Sequence, residues 1–368
     1  MRASAQPGCP QVTAVTFDGQ ASGAVTCNEP CIELNATPFS VASTNTYSVG
    51  SIPYSPPFAY NLGTVIPINT DDVYSAAINI PFNFCFFGVN YNQLVVGSNG
   101  MLTFDMSNAS GICPWAFTAS IPSPALETNS IFGVYQDINP ATCGNVRWQV
   151  LGTAPCRTFI LNFNGVCQFS CSSQTSTSQI VLYEATNIIE IYIQNKPICA
   201  GWNGGRSLVG ILNAAGTLGY APPGRNTGVW AATNEAWRFT PNSGSSVVAI
   251  NWFENGTLIG TGPNITVCPT ETTTYTALAT YSSCGGNNTV SDDIIVISDV
   301  DPLDPEATIT NAQDLCLSQG QYTLVPVDSG GTWSSDCGAC LAANGVFDTS
   351  LSGAGNFNVT YEVITSCG

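Results

Sequence analysis

The chain has 368 residues, with 7 Lys+Arg against 24 Asp+Glu, no histidine and a formal net charge of −17. Without histidine, no Ser–His triad, Cys–His dyad or His-ligated zinc can be built, and seven scattered cations cannot neutralise a run of phosphates, which excludes nucleic acid as a partner. An apolar content of 44% and an aromatic content of 10% exclude a disordered chain.

In chain order, residues 1–36 read as an N-terminal extension. Ala3-Ser-Ala5 before Gln6 has the small-x-small pattern of a signal-peptidase site, with no apolar h-region ahead of it. From residue 37 to 242, short runs rich in Val, Ile, Phe, Tyr and Thr recur between Gly, Pro, Asn and Ser, the signature of strands and turns. Ala77–Phe82, Gln93–Val96, Met101–Phe104, Phe159–Phe163, Gln179–Tyr183 and Ile188–Ile193 are such runs. Asn99-Gly100 between two of them predicts a two-residue type I′ hairpin, because both residues accept a positive φ.

Pro241-Asn-Ser-Gly-Ser-Ser246 reads as a linker. A compact set of strands is predicted over 243–300, with a turn at Asn255-Gly256. Asp299-Val-Asp-Pro-Leu-Asp-Pro305 reads as a stiff acidic connection, since proline fixes φ and cannot donate to a ladder. Residues 301–368 make a further, truncated module, and the end at Ser366-Cys367-Gly368 reads as a cut inside a longer secreted protein. The fold class predicted is all-β and multidomain. No run approaches the roughly 18 apolar residues of a membrane-spanning helix.

The 16 cysteines are even in number and spread along the chain, which reads as up to eight disulfides formed in an oxidising compartment. Cys337-Gly-Ala-Cys340 supplies half of a four-thiolate zinc site, but no second CxxC exists. Proximity in sequence suggests Cys167 with Cys171 and Cys268 with Cys284, and Cys316 with Cys367 would close the last module.

Three groups of residues carry chemistry. Asp71 and Asp72 with Asp137 offer oxygen ligands for Ca2+, or are turn residues bonding local backbone N–H groups. Asp299, Asp301 and Asp304 are solvated linker charge or a second calcium position. Among the tryptophans of the large segment, Trp202 and Asn203 lie in a glycine-flanked loop, Gly201-Trp-Asn-Gly-Gly205. With Trp115 and Trp230 they are the candidate contacts for a sugar ring; Trp202 is the one expected to be exposed, and core filling is favoured for the other two. Asp348-Thr-Ser350 faintly echoes an aspartic-protease triplet, but it has no second copy, and no enzyme activity is predicted.

Asp71-Asp-Val-Tyr-Ser75, Ile80-Pro-Phe-Asn-Phe-Cys-Phe-Phe-Gly88, Tyr91 and Val96-Gly-Ser-Asn-Gly-Met-Leu-Thr-Phe104 resemble the opening of a nidogen-like extracellular domain. Ile131-Phe-Gly-Val-Tyr-Gln-Asp137, Arg157-Thr-Phe-Ile-Leu-Asn-Phe163 and Gln179-Ile-Val-Leu-Tyr-Glu184 resemble its later strands in order, so that residues 37–242 are read as a nidogen-like β-sandwich. Ile250-Asn-Trp-Phe-Glu-Asn-Gly256 and Thr272-Thr-Thr-Tyr-Thr276 resemble the immunoglobulin-like repeats of Bacteroidota surface proteins. Gly331-Thr-Trp333 and Gly353-Ala-Gly-Asn-Phe-Asn-Val-Thr-Tyr361 resemble another such repeat. The combination resembles the N-terminal part of a type IX-secreted adhesin of the gliding-motility kind.

That resemblance implies a bacterial cell-surface location and an extracellular binding partner, surface polysaccharide or another substratum. It also implies contact with the gliding or secretion machinery of the outer membrane, and no obligate cofactor beyond a possible Ca2+. Two other functions fit the residues: a carbohydrate-binding accessory region of a secreted polysaccharide-degrading enzyme, and a structural subunit of an extracellular filament or surface layer.

Overall fold

The computed structural model describes Cys9 and residues 12–38, 42–245, 247–284, 286–298 and 306–363. The signal-peptidase pattern at Ala3–Ala5, the linker acids Asp299, Asp301 and Asp304, and Cys367 lie outside the described residues. The chain is all-β and multidomain, and it divides into two compact units. One comprises Met1–Thr13, Thr37–Asn251 and Leu278–Asp292; the other comprises Ala14–Ala36, Trp252–Ala277 and Asp293–Gly368.

The first unit is a sandwich of two antiparallel sheets. Its main strands are β1 (Ala42–Ser51), β2 (Ile78–Phe86), β3 (Val89–Gly97), β4 (Met101–Thr103), β5 (Ser130–Tyr135) and β6 (Asn145–Leu151). They continue with β7 (Thr158–Gln168), β8 (Cys171–Tyr183), β9 (Ile189–Lys196), β10 (Arg206–Leu212) and β11 (Ala232–Ser245). One sheet runs β1-β11-β9-β8-β7-β6 and ends on Thr64–Val65; the other runs Gly219–Tyr220, then β10-β5-β4-β3-β2.

Alternation sets which side chains meet between the sheets. Phe159, Leu161 and Phe163 of β7, Ile180 and Leu182 of β8, and Ile191 and Ile193 of β9 face Phe84, Leu94, Val96 and Ile211 from the other sheet in one buried cluster. Each such side chain contributes about 1.5–3 kcal/mol by leaving water.

The central strands are buried on both faces, which is why they read as continuous apolar runs rather than alternating ones. Ile52, Tyr54 and Phe58 cover Val181, Tyr183 and Tyr192 on the outside of the first sheet. On the outside of the second, the long connection from residue 104 to 129 lays Cys113, Phe117, Ile121 and Leu126 over Met101, Phe132, Tyr135 and Leu208. This connection carries Trp115.

Two local expectations change. Gly97 pairs with Met101, so the turn after β3 has three residues, Ser98-Asn99-Gly100. Only Gly100 takes a left-handed φ, +83°, and Asn99 is fully buried. The extra residue makes this the longer hairpin form that ends in a left-handed glycine. A Cβ on Gly100 would sit 2.0 Å from the Val134 carbonyl oxygen, so no other residue fits. The Asn255-Gly256 turn does adopt the two-residue left-handed form, with φ of 49° and 79°.

The stretch read as a linker at 241–246 is strand up to Ser245. Pro241 pairs with Tyr47, Ser243 with Ser43 and Ser245 with Ala42, with register shifts between them. Proline is tolerated because the ladder to β9 already ends at the Ile189–Phe239 pair.

In the second unit, the segment read as an N-terminal extension is built into the fold. Val12–Thr16, Ile32–Pro38 and Asn264–Val267 form a three-stranded sheet, and Ser22–Val25 runs parallel to residues 295–298. Trp252 is fully buried, with its indole N–H donating to the Gly262 carbonyl at 3.1 Å. Further on, Gln321–Thr323 pairs with Val346–Asp348 and Thr332–Ser335 with Val359–Glu362. Trp333 packs beside Leu324, Cys340 and Phe347.

Six disulfides join described residues: Cys9–Cys156, Cys31–Cys268, Cys85–Cys284, Cys143–Cys167, Cys171–Cys199 and Cys337–Cys340. Cys167, Cys171, Cys268 and Cys284 are therefore bridged, but not to the neighbours that proximity suggested. Strand pairing decides the partners. Ile32 is opposite Val267 in the ladder, which leaves Cys31 and Cys268 adjacent at its end. Cys316 is free, exposed and without a disulfide partner among the described residues. Cys113 is also free, and buried. Among the described residues, no helix is long and apolar enough to cross a membrane.

Candidate functional site

Asp71 and Asp72 lie just ahead of β2, where Val73 bridges to Ile112 and Tyr74 to Gly97. Asp137 lies two residues past β5. The carboxylates of Asp71, Asp72 and Asp137 each bring an oxygen within 4.8 Å of the others. Asp72 holds a left-handed φ of 51°, a conformation aspartate tolerates better than most side chains, and Asp71 Oδ1 accepts the Asp72 N–H at 3.1 Å. The turn bonding foreseen for these residues is present, and so is the cluster.

Asn99 organises the surroundings. Its Nδ2 donates to Asp72 Oδ1 at 2.9 Å and to the Pro114 carbonyl at 3.1 Å, while its Oδ1 accepts the Ile138 N–H at 3.0 Å. One buried amide thus ties the Asp72 loop, the Trp115 connection and the chain beyond Asp137 together. The Tyr135 hydroxyl also donates to the Pro114 carbonyl, at 3.1 Å.

The Trp202 loop closes the other side. The indole Nε1 of Trp202 donates to Asp137 Oδ2 at 2.6 Å, and Asn203 Nδ2 donates to the Trp115 carbonyl at 3.2 Å, with a longer approach to Asp137 Oδ2 at 3.4 Å. The Cys171–Cys199 disulfide anchors this loop three residues before Trp202, and Phe169 packs on the indole at 4.9 Å between ring centres. Asp137, Trp202, Asn203 and Arg206 line a cavity of about 10 Å³, the space of a single water.

Asp137 is 8% exposed, and its Oδ1 is sealed from solvent with no hydrogen-bond partner. Burial pushes its carboxyl up to about 7; the Trp202 N–H pulls against this, and the charges of Asp72 and Asp71 add to it. Asp71 is raised as well, by burial first and then by Asp72.

Trp202, Asn203, Trp115, Asp71, Asp72 and Asp137, drawn from four separate stretches of sequence, therefore meet at one place. Against expectation it is Trp115, 40% exposed, that can touch a ligand, while Trp202 is half-buried by its bond to Asp137 and its contact with Phe169. Trp230 does not belong with them. It is buried, donates its N–H to the Ser207 carbonyl at 3.2 Å, and has Lys196 and Arg225 over its rings, with cationic atoms 4.7 and 4.8 Å from the ring centres. Buried and held by cations, it offers no face on which a sugar can stack. Asp348 caps a one-turn helix, accepting the Ser350 N–H at 2.9 Å, which accounts for the Asp-Thr-Ser sequence.

A NIDO-related family model matches residues 46–248, more than half of the chain. The chain belongs to the NIDO-related family. The match begins in β1 and ends just past β11, so the NIDO-related domain is the two-sheet sandwich, and the acidic cluster with Trp115 and Trp202 lies wholly inside it. No curated protein gives a match to the chain. The disulfides together with the NIDO-related domain mark an extracellular protein.

Proposed function

We propose that this chain is a segment of a bacterial cell-surface adhesin whose NIDO-related domain presents a binding face to polysaccharide or another extracellular surface, without catalysing a reaction. The observation that carries this reading is the convergence of Trp115, Trp202, Asn203 and Asp137 on one disulfide-anchored set of loops. An aromatic face beside carboxylate and amide groups matches a sugar, which offers C–H faces and pairs of hydroxyls. The adjoining cavity of about 10 Å³ is far too small to enclose a sugar ring, so contact is made on the surface, through Trp115. An enzyme would need a substrate-sized pocket around its acids. Attachment during gliding, after type IX secretion and with the outer-membrane machinery as a partner, is the setting that the sequence resemblance suggests.

Binding of the full chain to a glycan array and to polysaccharide-coated beads tests the proposal. Binding lost in Trp115→Ala, with unfolding unchanged, is the expected result. Failure of the native chain to bind any glycan or coated surface overturns it, and so does binding that Trp115→Ala leaves intact.

A further inference from the structure

Three carboxylates within 4.8 Å of one another repel, and no described cation pairs with them. Each described cation is engaged elsewhere. Arg157, Arg225 and Arg238 pair with Glu184, Glu235 and Glu190. Arg147 donates to Asn145 and to the Gly63 carbonyl, and Lys196 to the Trp230 carbonyl. Arg206 borders the Asp137 cavity, yet it makes no ion pair with Asp137, and its Nη1 donates to the Asn203 carbonyl at 3.2 Å. The second observation is independent of the acidic count. Asp137 is more than nine-tenths buried and its Oδ1 has no donor, an arrangement that costs stability unless something electropositive fills it.

We infer that Asp71, Asp72 and Asp137 form a binding site for one hard divalent cation, Ca2+. The donor set is oxygen alone. No described thiolate or imidazole joins it, and this favours calcium or magnesium over zinc or copper. Calcium fits better than magnesium, because it accepts irregular oxygen geometry and completes its shell with backbone carbonyls and water, whereas magnesium demands a near-ideal octahedron. The surrounding hydrogen bonds hold the ligands in place: Asn99 fixes Asp72 through Oδ1, and Trp202 fixes Asp137 through Oδ2, which leaves Oδ1 for the ion. The site thereby locks together the Asp71–Asp72 loop and the chain after β5, the same loops that carry the proposed binding face. It stands on its own geometry, whether or not the domain binds a glycan.

The experiment uses the full, disulfide-intact chain after chelator treatment. Calcium is titrated by calorimetry, and terbium is titrated by luminescence excited through tryptophan, with Trp202 as the nearby donor. One saturable site is expected, with calcium displacing terbium and a dissociation constant in the range of about 10⁻⁴–10⁻³ M seen for extracellular modules. Asp137→Asn and the more exposed Asp71→Asn each weaken binding more than about tenfold, and Trp202→Phe, which removes only the supporting N–H, weakens it by about tenfold or more. Asp71→Asn keeps the test valid should Asp137→Asn fail to fold. The inference is overturned by no saturable binding at about 10 mM calcium, well above that range. It is also overturned by binding unchanged in both aspartate variants, or by a site that takes magnesium and refuses calcium.

Discussion

Glu190 and Asp137 are both buried carboxylates of the NIDO-related domain, and their surroundings differ in what they supply. Glu190, 1% exposed, lies in mid-sheet on β9 and receives the Arg238 guanidinium at 2.7 Å, with the hydroxyls of Tyr183 and Tyr192 at 2.8 Å each. Every partner comes from the same sheet, fixed by strand register: Glu190 is directly opposite Arg238 on β11 and Val181 on β8. Asp137 stands at the end of β5, among loops, with one oxygen held by Trp202 and the other left without a donor. The lesson is that the fold can satisfy a buried carboxylate completely when the charge serves structure. The unpaired Oδ1 of Asp137 is the atom that the proposed cation would take.

The contrast can be broken or sharpened by substitution. The largest effect is expected at the satisfied carboxylate. Arg238→Met strands Glu190 among the two tyrosine hydroxyls and lowers stability by about 2–3 kcal/mol in urea unfolding, below the fully buried range because Arg238 keeps part of its side chain in water. Tyr192→Phe removes one hydrogen bond to the same charge and costs about 1.5 kcal/mol. At the unsatisfied carboxylate the outcome differs in kind: in chelator, Asp137→Asn changes stability by less than about 0.5 kcal/mol, since it relieves repulsion from Asp71 and Asp72 while keeping an acceptor for Trp202. A loss there as large as that of Arg238→Met would erase the distinction.

The smallest effect concerns Lys196, the one lysine, which is 1% exposed and has its ammonium against the Trp230 ring. Burial, and then the nearby Arg225, depress it from 10.5 to about 8. A depressed folded value means that the unfolded chain holds the proton more tightly. Stability from this group therefore rises with pH above about 8 and is lost as pH falls through that value. Between about pH 8 and 9.5 the melting temperature of the native chain should climb relative to that of Lys196→Met measured alongside it.

Much of the fold is legible in the sequence, because strands here announce themselves through β-branched and aromatic runs between turn residues. The runs at 159–163, 179–183 and 188–193 lie in the central strands, and the nidogen-like motifs lie in the domain that the family model matches. What the sequence hides is long-range pairing. Nothing local in Val12–Thr16 or Ile32–Pro38 says that the first of them joins, through the second, to Asn264–Val267, more than two hundred residues on. The same blindness misassigned the cysteines, whose partners follow from ladders rather than from proximity.

The candidate site was legible residue by residue, since acids in turns and a tryptophan between glycines each suggest a ligand. Their union was not, nor was the part played by Asn99. The Asn-Gly pair reads as a surface turn, yet the amide is buried and bonded to three separate stretches. A polar residue that a three-residue turn directs inward can be recognised only in three dimensions. Trp230, named as a candidate sugar contact against the alternative of core filling, is buried with two cations over its rings, so core filling holds there.

The Cys31–Cys268 bridge closes a loop of 237 residues around the whole NIDO-related domain. For a protein that is pulled, this is a load path. A force that separates residue 31 from residue 268 is borne by one covalent bond rather than by the chain between them. At about 3.4 Å per extended residue, the bridge withholds on the order of 800 Å of chain from stretching. Oxidised, the bridge limits how far residues 31 and 268 can separate; reduced, that limit passes to the folded chain between them.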